Sequence, residues 1–203
     1  MYRLFFKRLI DILLGLVALP FVIIVIILFA PIIYFTDKGP IFYNARRAGK
    51  DYKPFKMFKL RSMYVNSPDL KNADGSTFNS DNDSRVTPVG RIIRKMSLDE
   101  FPQFLNILLG DMSFVGPRPK LYIEGRLDQD VSEDFRKSFT VKPGVTGYAQ
   151  AYYRNSITQD EKIHWDAYYA DNLSFWMDVK IIWQTVFSVL ARKNINTVES
   201  QKK

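Results

Sequence analysis

The sequence contains no cysteine and only one histidine, His164, among its 203 residues. The lack of cysteine excludes disulfides, thiolate metal sites and a cysteine nucleophile, and it is compatible with a reducing compartment. Any Ser-His or His-metal chemistry would depend on one side chain. His164 lies in a stretch that we predict to be a partly buried helix, and we interpret it as structural.

Acidic residues are also scarce relative to basic ones. The chain has 21 Asp and Glu against 29 Lys and Arg, for a net charge of +8. This excess favours anionic partners, which include nucleic acid, acidic lipid and nucleotide phosphates. The length suits one hydrophobic core of good size.

Charge is almost absent from residues 9–35, where Asp11 is the only charged side chain. As one helix this run would extend about 40 Å, beyond the ~30 Å of a bilayer core. Pro20 predicts a kink or break near the middle, and neither half could cross alone. Basic residues flank both ends of the apolar run. Because the positive-inside rule favours such flanks in the cytoplasm, both ends of the run are expected on the cytoplasmic side. A re-entrant helix and a straight single-pass helix both remain open.

Beyond the apolar run, the pattern predicts short strands, loops and helices. The expected elements are strands at 40–43 and 55–60 around a basic turn at 46–50, a polar loop at 66–83, a basic amphipathic segment at 89–95, a Gly/Pro loop at 142–147, and helices at 121–138, 160–171 and 174–193.

The last predicted helix carries more apolar residues than one soluble core needs. Its main stripe comprises Phe175, Val179, Ile182, Trp183, Val186, Phe187 and Leu190, and Trp176, Ile181 and Val189 lie outside that stripe. We expect this helix to pack on a membrane surface.

These elements predict an α+β fold that is mainly helical. A membrane-associated helix at 1–36, for which we predict a re-entrant path, would precede a small cytoplasmic catalytic domain at 37–193. That domain would have short strands and amphipathic interfacial helices, and a polar tail would follow at 194–203.

The most informative stretch runs from 94 to 119, and the adjacent carboxylates Asp99 and Glu100 lie at its centre. Apolar residues recur at helical spacing after this pair, and Gly110 is a natural stop. Arg94 and Arg118 flank the acidic pair. Carboxylates at a helix start, with arginines on both sides, indicate an anionic substrate that bears phosphate.

The same pair has a purely structural interpretation. Ser97 and Glu100 match a capping box, in which Glu100 would bind a backbone N–H. Pro102 weakens that interpretation, because with Ser97 as cap its ring would strike a preceding carbonyl. An ionised Asp99 could instead attack phosphorus and form an acyl phosphate.

Four longer motifs resemble those of the bacterial initiating sugar transferases, the monotopic polyprenyl-phosphate phosphoglycosyl transferases. They are Lys-Leu-Arg-Ser-Met at 59–63, Ser-Leu-Asp-Glu-Phe-Pro-Gln at 97–103, Gly-Asp-Met-Ser-Phe-Val-Gly-Pro-Arg-Pro at 110–119 and Lys-Pro-Gly-Val-Thr-Gly at 142–147. The resemblance extends from Phe6 to Asp178, and the length resembles the minimal catalytic unit of that family.

The resemblance implies a re-entrant N-terminal helix and a globular part on the cytoplasmic face of the bacterial inner membrane. It implies transfer of a sugar-1-phosphate from a UDP-sugar to undecaprenyl phosphate in the inner leaflet, with release of UMP. Downstream glycosyltransferases would then extend the lipid-linked sugar of a polysaccharide or glycoconjugate.

The family's nucleophile matches Asp99, and the residue that the family associates with Mg²⁺ matches Glu100. Lys59, Arg94 and Arg118 are our candidates for holding phosphates. Three further candidates are Arg61, on the same basic stretch as Lys59, and Gln150 and Arg154 on the nucleotide side.

This chain departs from the family pattern at four places. Leu19 precedes Pro20 where the family has serine, and Ala48 replaces a proline in an Arg-Pro-Gly turn. Lys142 occupies the position where the family usually has arginine, and Tyr153 occupies a position where the family often has glycine. The last two fall near the expected substrate pocket, so they bear on which sugar is used.

Two other functional classes are compatible with parts of the sequence. A membrane-anchored nucleic-acid-binding module would explain the charge, but the basic residues are scattered and no nucleic-acid-binding signature is present. An inactive scaffold would keep the fold, but the intact Asp99, Glu100 and Arg118 argue against lost chemistry.

Overall fold

The computed structural model describes residues 1–68, 70, 78, 80, 83–154 and 156–190, without the side chains of 189 and 190. Most of the predicted polar loop, the end of the predicted last helix and the whole predicted tail at 194–203 lie outside these residues.

The described residues form a mainly helical α+β fold, as predicted. The helices are α1 Lys7–Asp37, α2 Pro88–Lys95, α3 Gln103–Leu109, α4 Glu133–Lys137, α5 Tyr148–Tyr152, α6 Gln159–Asn172 and α7 Phe175–Leu190. The strands are β1 Ala45–Ala48, β2 Pro54–Met57, β3 Ser113–Val115, β4 Lys120–Leu121 and β5 Gly144–Thr146.

The apolar run forms one uninterrupted helix. A π-helical turn precedes α1, which continues for 31 residues through Pro20 and Pro31. The prediction that Pro20 breaks the helix was therefore wrong. A proline removes only one backbone hydrogen bond, and the neighbouring apolar residues sustain the rest of the helix. By length and composition, the helical stretch Tyr2–Asp37 is the one among the described residues that could cross a membrane.

One narrow side of α1 packs on the rest of the protein. Val25 and Ile33 join a core cluster with residues of α2. Nearer its start, α1 approaches α3 so closely that a Cβ at Gly15 would lie 2.8 Å from Leu108 Cδ2. The Arg8 guanidinium donates to the carbonyl oxygen of Leu108 at 2.9 Å, at the C-terminal end of α3. The remaining apolar side chains of α1 are largely exposed.

A buried polar network ties the start of the chain to α7. The Asp178 carboxylate accepts hydrogen bonds from Lys7 Nζ at 2.6 Å, Tyr2 Oη at 2.6 Å and Tyr169 Oη at 2.7 Å. The sequence analysis did not predict this network. The available signal was the single acid, Asp178, in an otherwise largely apolar helix.

The lone charge of the apolar run also has a structural partner. Asp11 Oδ1 accepts hydrogen bonds of 3.0 Å from Ser113 Oγ and from the backbone N–H of Phe114. A buried carboxylate needs such donors, because burial without hydrogen bonds is costly. Asp11 therefore docks α1 onto β3.

Two small sheets support the loops around the candidate site. The antiparallel sheet has the order β2-β1-β4, and β3 pairs with β5 in parallel. The predicted strand at 40–43 was wrong, since only an isolated bridge joins Phe42 to Leu60. The predicted basic turn was also wrong: Arg46 and Arg47 lie inside β1, and the turn follows at Lys50–Tyr52.

Two further predicted elements have different structures. The predicted helix at 121–138 was wrong, because Gly125 takes a left-handed φ of +67° and Ser132 caps a separate short helix, α4. The predicted Gly/Pro loop at 142–147 contains β5. Helices α2 and α6 confirm the predicted segments at 89–95 and 160–171.

The apolar stripe of α7 faces outward. Trp183 is 75% exposed and Phe187 51% exposed, whereas Asp178, Ile181 and Ser188 are buried. The inward side therefore contains the polar groups that meet Tyr2, Lys7 and the backbone of α5, and the large apolar side chains are left on the surface.

Candidate active site

The acidic pair precedes α3 in a separate 3₁₀ turn, Leu98–Glu100. Ser97 has a left-handed φ of +56° and its side chain makes no capping hydrogen bond, so the capping-box interpretation was wrong. Pro102 occupies the position before α3 instead. The backbone oxygen of Asp99 accepts from Leu60 N at 2.9 Å, which brings the basic stretch at 59–61 beside the turn.

Two predicted cations and both carboxylates form one cluster. Lys59 Nζ lies 2.8 Å from Asp99 Oδ2 and 3.4 Å from Glu100 Oε1. Arg118 Nη2 lies 3.5 Å from the same Glu100 oxygen. The exposed fraction of the side chain rises from 4% at Asp99 to 62% at Arg118. The cluster therefore leads from an exposed guanidinium to a buried carboxylate.

The cations keep Glu100 ionised. Burial alone would raise the pKa of Glu100, but Lys59 and Arg118 outweigh it and lower that pKa to about 2. Arg94 adds positive charge nearby: burial lowers its pKa, and the Asp99 carboxylate acts in the opposite direction. Arg94 Nε donates to Ser62 Oγ at 2.8 Å, which fixes the guanidinium.

Asn106 positions the lysine of the cluster, and the sequence analysis missed it. Its side chain is fully buried. Asn106 Nδ2 donates to the Lys56 carbonyl at 2.7 Å, and Oδ1 accepts from Phe58 N at 2.9 Å. The amide thus replaces a strand partner at Phe58, directly after the end of β2 and one residue before Lys59. An isolated amide within an apolar helical stretch was the available signal.

The loop from β3 to β4 positions Arg118. At its start, Gly116 N donates to Thr146 O at 2.8 Å. A Cβ on Gly116 would lie 2.3 Å from the Lys142 carbonyl, so this close approach requires glycine. At its end, Lys120 Nζ lies 2.7 Å from the buried Asp166 carboxylate. The loop is therefore held on both sides of the arginine.

Arg61 lies at a different place from the cluster. Its guanidinium contacts Asp37 at 2.6 Å through both terminal nitrogens and donates to the Ile33 carbonyl at 3.2 Å. Arg61 is buried, so it fastens the C-terminal end of α1 to the domain. A phosphate role for Arg61 stays a prediction, and its observed contacts are structural.

The two candidates on the nucleotide side belong to α5 and its end. Gln150 Nε2 donates to the Val145 carbonyl at 3.2 Å. Its Oε1 is buried and has no hydrogen-bond partner among the described residues. Arg154 follows α5 with a left-handed φ of +52°. Their roles toward a nucleotide stay predictions.

The single histidine is not part of the cluster. His164 lies in α6, which is partly buried as predicted, and its own side chain is 63% exposed. Its Nδ1 is 2.9 Å from Asp134 Oδ2, which links α6 to α4. This contact supports a structural role.

The acidic pair offers an incomplete set of metal ligands. Within the described ranges, no group of three His, Cys, Asp or Glu side chains could hold a metal ion. Mg²⁺ is usually bound by one or two carboxylates together with substrate phosphates and waters. Asp99 and Glu100 therefore fit Mg²⁺ only when a phosphate-bearing substrate supplies further oxygens.

Comparison with known proteins identifies the family. The model of the bacterial sugar transferase family matches residues 2–192. The chain belongs to this family. The sugar transferase thus has the acidic pair, the basic stretch and the Gly-Pro-Arg-Pro loop within one matched region.

Several curated relatives resemble this sugar transferase along most of its length. A UDP-N-acetylgalactosamine-undecaprenyl-phosphate N-acetylgalactosaminephosphotransferase of Aeromonas hydrophila is 37% identical over 92% of the chain and 44% of the relative. A UDP-glucose:undecaprenyl-phosphate glucose-1-phosphate transferase of Klebsiella pneumoniae is 37% identical over 93% of the chain and 41% of the relative. The chain therefore spans less than half of these two relatives.

A third relative has nearly the same extent. An uncharacterised sugar transferase of Bacillus subtilis is 37% identical over 93% of the chain and 89% of the relative. Family membership therefore rests on a match to a protein of similar length as well as to the larger ones.

Proposed function

We propose that this protein transfers a sugar-1-phosphate from a UDP-sugar to undecaprenyl phosphate and releases UMP, as the first membrane step of a bacterial polysaccharide or glycoconjugate. The observation that carries the proposal is the buried Asp99 carboxylate, held 2.8 Å from Lys59 beside a second cation-paired acid. The names of the relatives from Aeromonas hydrophila and Klebsiella pneumoniae support the donor and acceptor classes.

The first step is a displacement at the β-phosphorus of the UDP-sugar. A carboxylate oxygen of Asp99 forms a bond to that phosphorus, and the bond from phosphorus to the oxygen bridging toward the α-phosphate breaks. UMP leaves with that oxygen and the electron pair. The product on the enzyme is an aspartyl phosphosugar.

The second step regenerates the carboxylate. A phosphate oxygen of undecaprenyl phosphate attacks the same phosphorus, and the bond to the Asp99 oxygen breaks. The product is undecaprenyl-diphosphate sugar. Since both steps use one phosphorus and one carboxylate, a single cluster of cations can serve both.

The cations of the cluster have distinct roles in this mechanism. Lys59 orients the Asp99 carboxylate, and Arg118, the most exposed, is placed to meet an incoming phosphate first. Arg94 adds positive charge near the nucleophile. Positioned cations stabilise the charge that develops on transferring phosphoryl groups.

Glu100 would bind Mg²⁺ together with substrate phosphates in this proposal. The ion would neutralise phosphate charge and polarise the phosphorus. In the structure, Glu100 is paired with Lys59 and Arg118. Metal binding and substrate binding are therefore expected to be coupled.

A nucleic-acid-binding role is less well supported. Lys59, Arg61 and Lys120 each form an ion pair with an acid of the same domain, so their charge is already partnered within the fold. An inactive scaffold is disfavoured because the acidic pair keeps both cationic partners.

The reaction is tested by UMP release from a panel of UDP-sugars in the presence of undecaprenyl phosphate and Mg²⁺. We expect release with one or a few donors, and loss of release when the lipid is omitted or the metal is chelated. Release that continues without the lipid, at the same rate, would indicate hydrolysis and contradict the transferase proposal. Activity that is insensitive to chelation would refute the role of Mg²⁺.

We further propose that α1 dips into the inner leaflet from the cytoplasm as one continuous helix that bends near Pro20, with both ends and the catalytic residues on the cytoplasmic face. The exposed apolar side chains of α1 and of α7 support contact with lipid. Lys7 and Arg8 at the start of α1 and Arg61 near its end all contact the same folded domain. Both ends of α1 are therefore held on one side in this proposal.

Labelling of single cysteines tests this path, because the chain has no native cysteine. A cysteine inserted after Met1 should resist a membrane-impermeant thiol reagent in intact cells and react after permeabilisation. A cysteine replacing the exposed Asp160 of α6 is the reference for the cytoplasmic side. Reaction of the N-terminal cysteine in intact cells, with the α6 cysteine protected, would establish a spanning helix instead.

A further inference from the structure

Two cations outside the catalytic cluster lie side by side near the C-terminal end of α3. Gly110 ends this helix with a φ of +98°. The point that a Cβ would occupy on Gly110 is 3.4 Å from Arg8 Nη2 and 3.6 Å from Lys142 Nζ. The guanidinium and the ammonium therefore flank the same small volume.

Internal acids do not neutralise this pair. Among the described residues, the Lys142 ammonium makes no ion pair, and Arg8 donates to main-chain carbonyls. Asp11 and Asp111 act on Lys142 from nearby, yet burial and the charge of Arg8 still lower the pKa of Lys142. Two like charges held together, with no described acid in ion-pair contact with either, favour an anion at this place.

The pair lies at the border of the exposed apolar surface. Leu109, the residue before Gly110, is 68% exposed, and Phe5 near Arg8 is 61% exposed. Arg3 Nη2 donates to the carbonyl oxygen of Thr140, two residues before Lys142, at 3.1 Å. A border between apolar side chains and cations matches the level of lipid headgroups.

The pair is separate from the catalytic cluster. Asp99 and Glu100 precede the first residue of α3, whereas Arg8 and Lys142 are at its other end. A helix of 7 residues is about 10 Å long, so one phosphate group cannot contact both places.

We propose that Arg8 and Lys142 bind the phosphate of a membrane lipid at the bilayer surface, an anionic glycerophospholipid being the expected occupant. The site would anchor α3, and with it the turn that carries the acidic pair, at a fixed height above the hydrocarbon. This inference rests on the proposed membrane contact of α1 and is independent of the proposed reaction.

Protection of the Lys142 amine tests the proposal on the full chain in lipid nanodiscs. We compare discs of phosphatidylcholine with discs in which part of this lipid is replaced by phosphatidylglycerol, and follow acetylation of each lysine by mass spectrometry. The anionic lipid should slow acetylation of Lys142 about fivefold, the effect of one lysine–headgroup contact. The exposed Lys53 serves as internal reference and should change little.

Matched variants separate a defined site from general charge. In zwitterionic detergent, short-chain phosphatidylglycerol should raise the melting temperature of the protein. The Lys142→Gln substitution should weaken the apparent affinity of the protein for this lipid about fivefold. Lys142→Arg should retain the affinity, as should Lys53→Gln. Equal losses in both glutamine variants would show non-specific attraction and overturn the proposal.

Further probes identify the source of the phosphate. If polyprenyl phosphate in place of phosphatidylglycerol also slowed acetylation of Lys142, the site would be supported and the acceptor lipid would be one of its ligands. Equal effects of inorganic phosphate alone would overturn the lipid assignment. Sedimentation of the variants with vesicles monitors membrane association separately, so failure of the site and failure of membrane contact give different results.

Discussion

Asp99→Asn is expected to lower turnover by roughly 10⁴-fold or more, the scale of losing an essential nucleophile. The amide keeps the shape of the side chain but cannot form the acyl phosphate. The variant should therefore also lose the covalent phosphosugar adduct, which mass spectrometry of the protein incubated with donor alone would detect as an added mass. In this variant Lys59 still has an acidic partner, because Glu100 lies 3.4 Å from its ammonium group. The fold should therefore remain intact.

Asp171→Asn is a suitable control for this experiment. Asp171 lies in α6, where its carboxylate is 3.5 Å from Lys137 on the surface. Loss of such a surface pair changes stability little, because solvent screens it. The control should form the adduct at the normal rate. An adduct that persists in Asp99→Asn would assign the nucleophile to another residue.

Lys59→Met is expected to destabilise the protein by about 3–5 kcal/mol at neutral pH, because two adjacent acids with little exposure lose their shared cation. The destabilisation caused by Lys59→Met should become smaller as the pH falls. In the native protein the pKa of Glu100 is lowered to about 2, so its stabilising contribution is present above the ordinary pKa and lost only in strong acid. Without Lys59, Glu100 takes up a proton in the folded state at higher pH, which relieves its repulsion with Asp99.

Denaturant unfolding at several pH values would measure both effects. Lys56→Met is the matched control, since Lys56 is an exposed lysine three residues earlier on β2. It should change the free energy of unfolding by about 0.5 kcal/mol or less. If the two methionine variants were equally stable at neutral pH, the ion pairs of Lys59 would not stabilise the fold.

Local patterns predicted the helices better than the strands. Helix α6 and the stop at Gly110 follow from periodicity and from the conformational freedom of glycine. Strand β1 contains Arg46 and Arg47, a pair that suggests a solvated turn. It forms because β2 and β4 flank it on both sides, and β4 lies more than seventy residues away. Such pairing has no local signal.

Periodicity also did not show which way α7 faces. A stripe that includes Trp183 and Phe187 would point inward in an ordinary soluble protein. Here Asp178 is on the inward face, because Tyr2 and Lys7 from the start of the chain satisfy its carboxylate. The direction depends on this distant contact.

The sequence motifs predicted most of the residues of the site. They did not predict which acid each cation would pair with. Lys59 and Arg61 would share one face if the strand continued through them. Strand β2 ends at Met57, so the alternation no longer applies and the two side chains separate. Lys59 reaches the acidic pair, and Arg61 reaches Asp37.

The ion pair of Lys7 with Asp178 has a consequence for biosynthesis. The two residues are separated by 171 positions, so the N-terminal helix leaves the ribosome long before its partner on α7 exists. At roughly 5–20 residues per second, that interval lasts on the order of 10–30 s. During this time the apolar helix can associate with the bilayer while Lys7 still lacks its acid. The attachment of the N-terminal helix to the domain therefore has to wait until α7 has been synthesised.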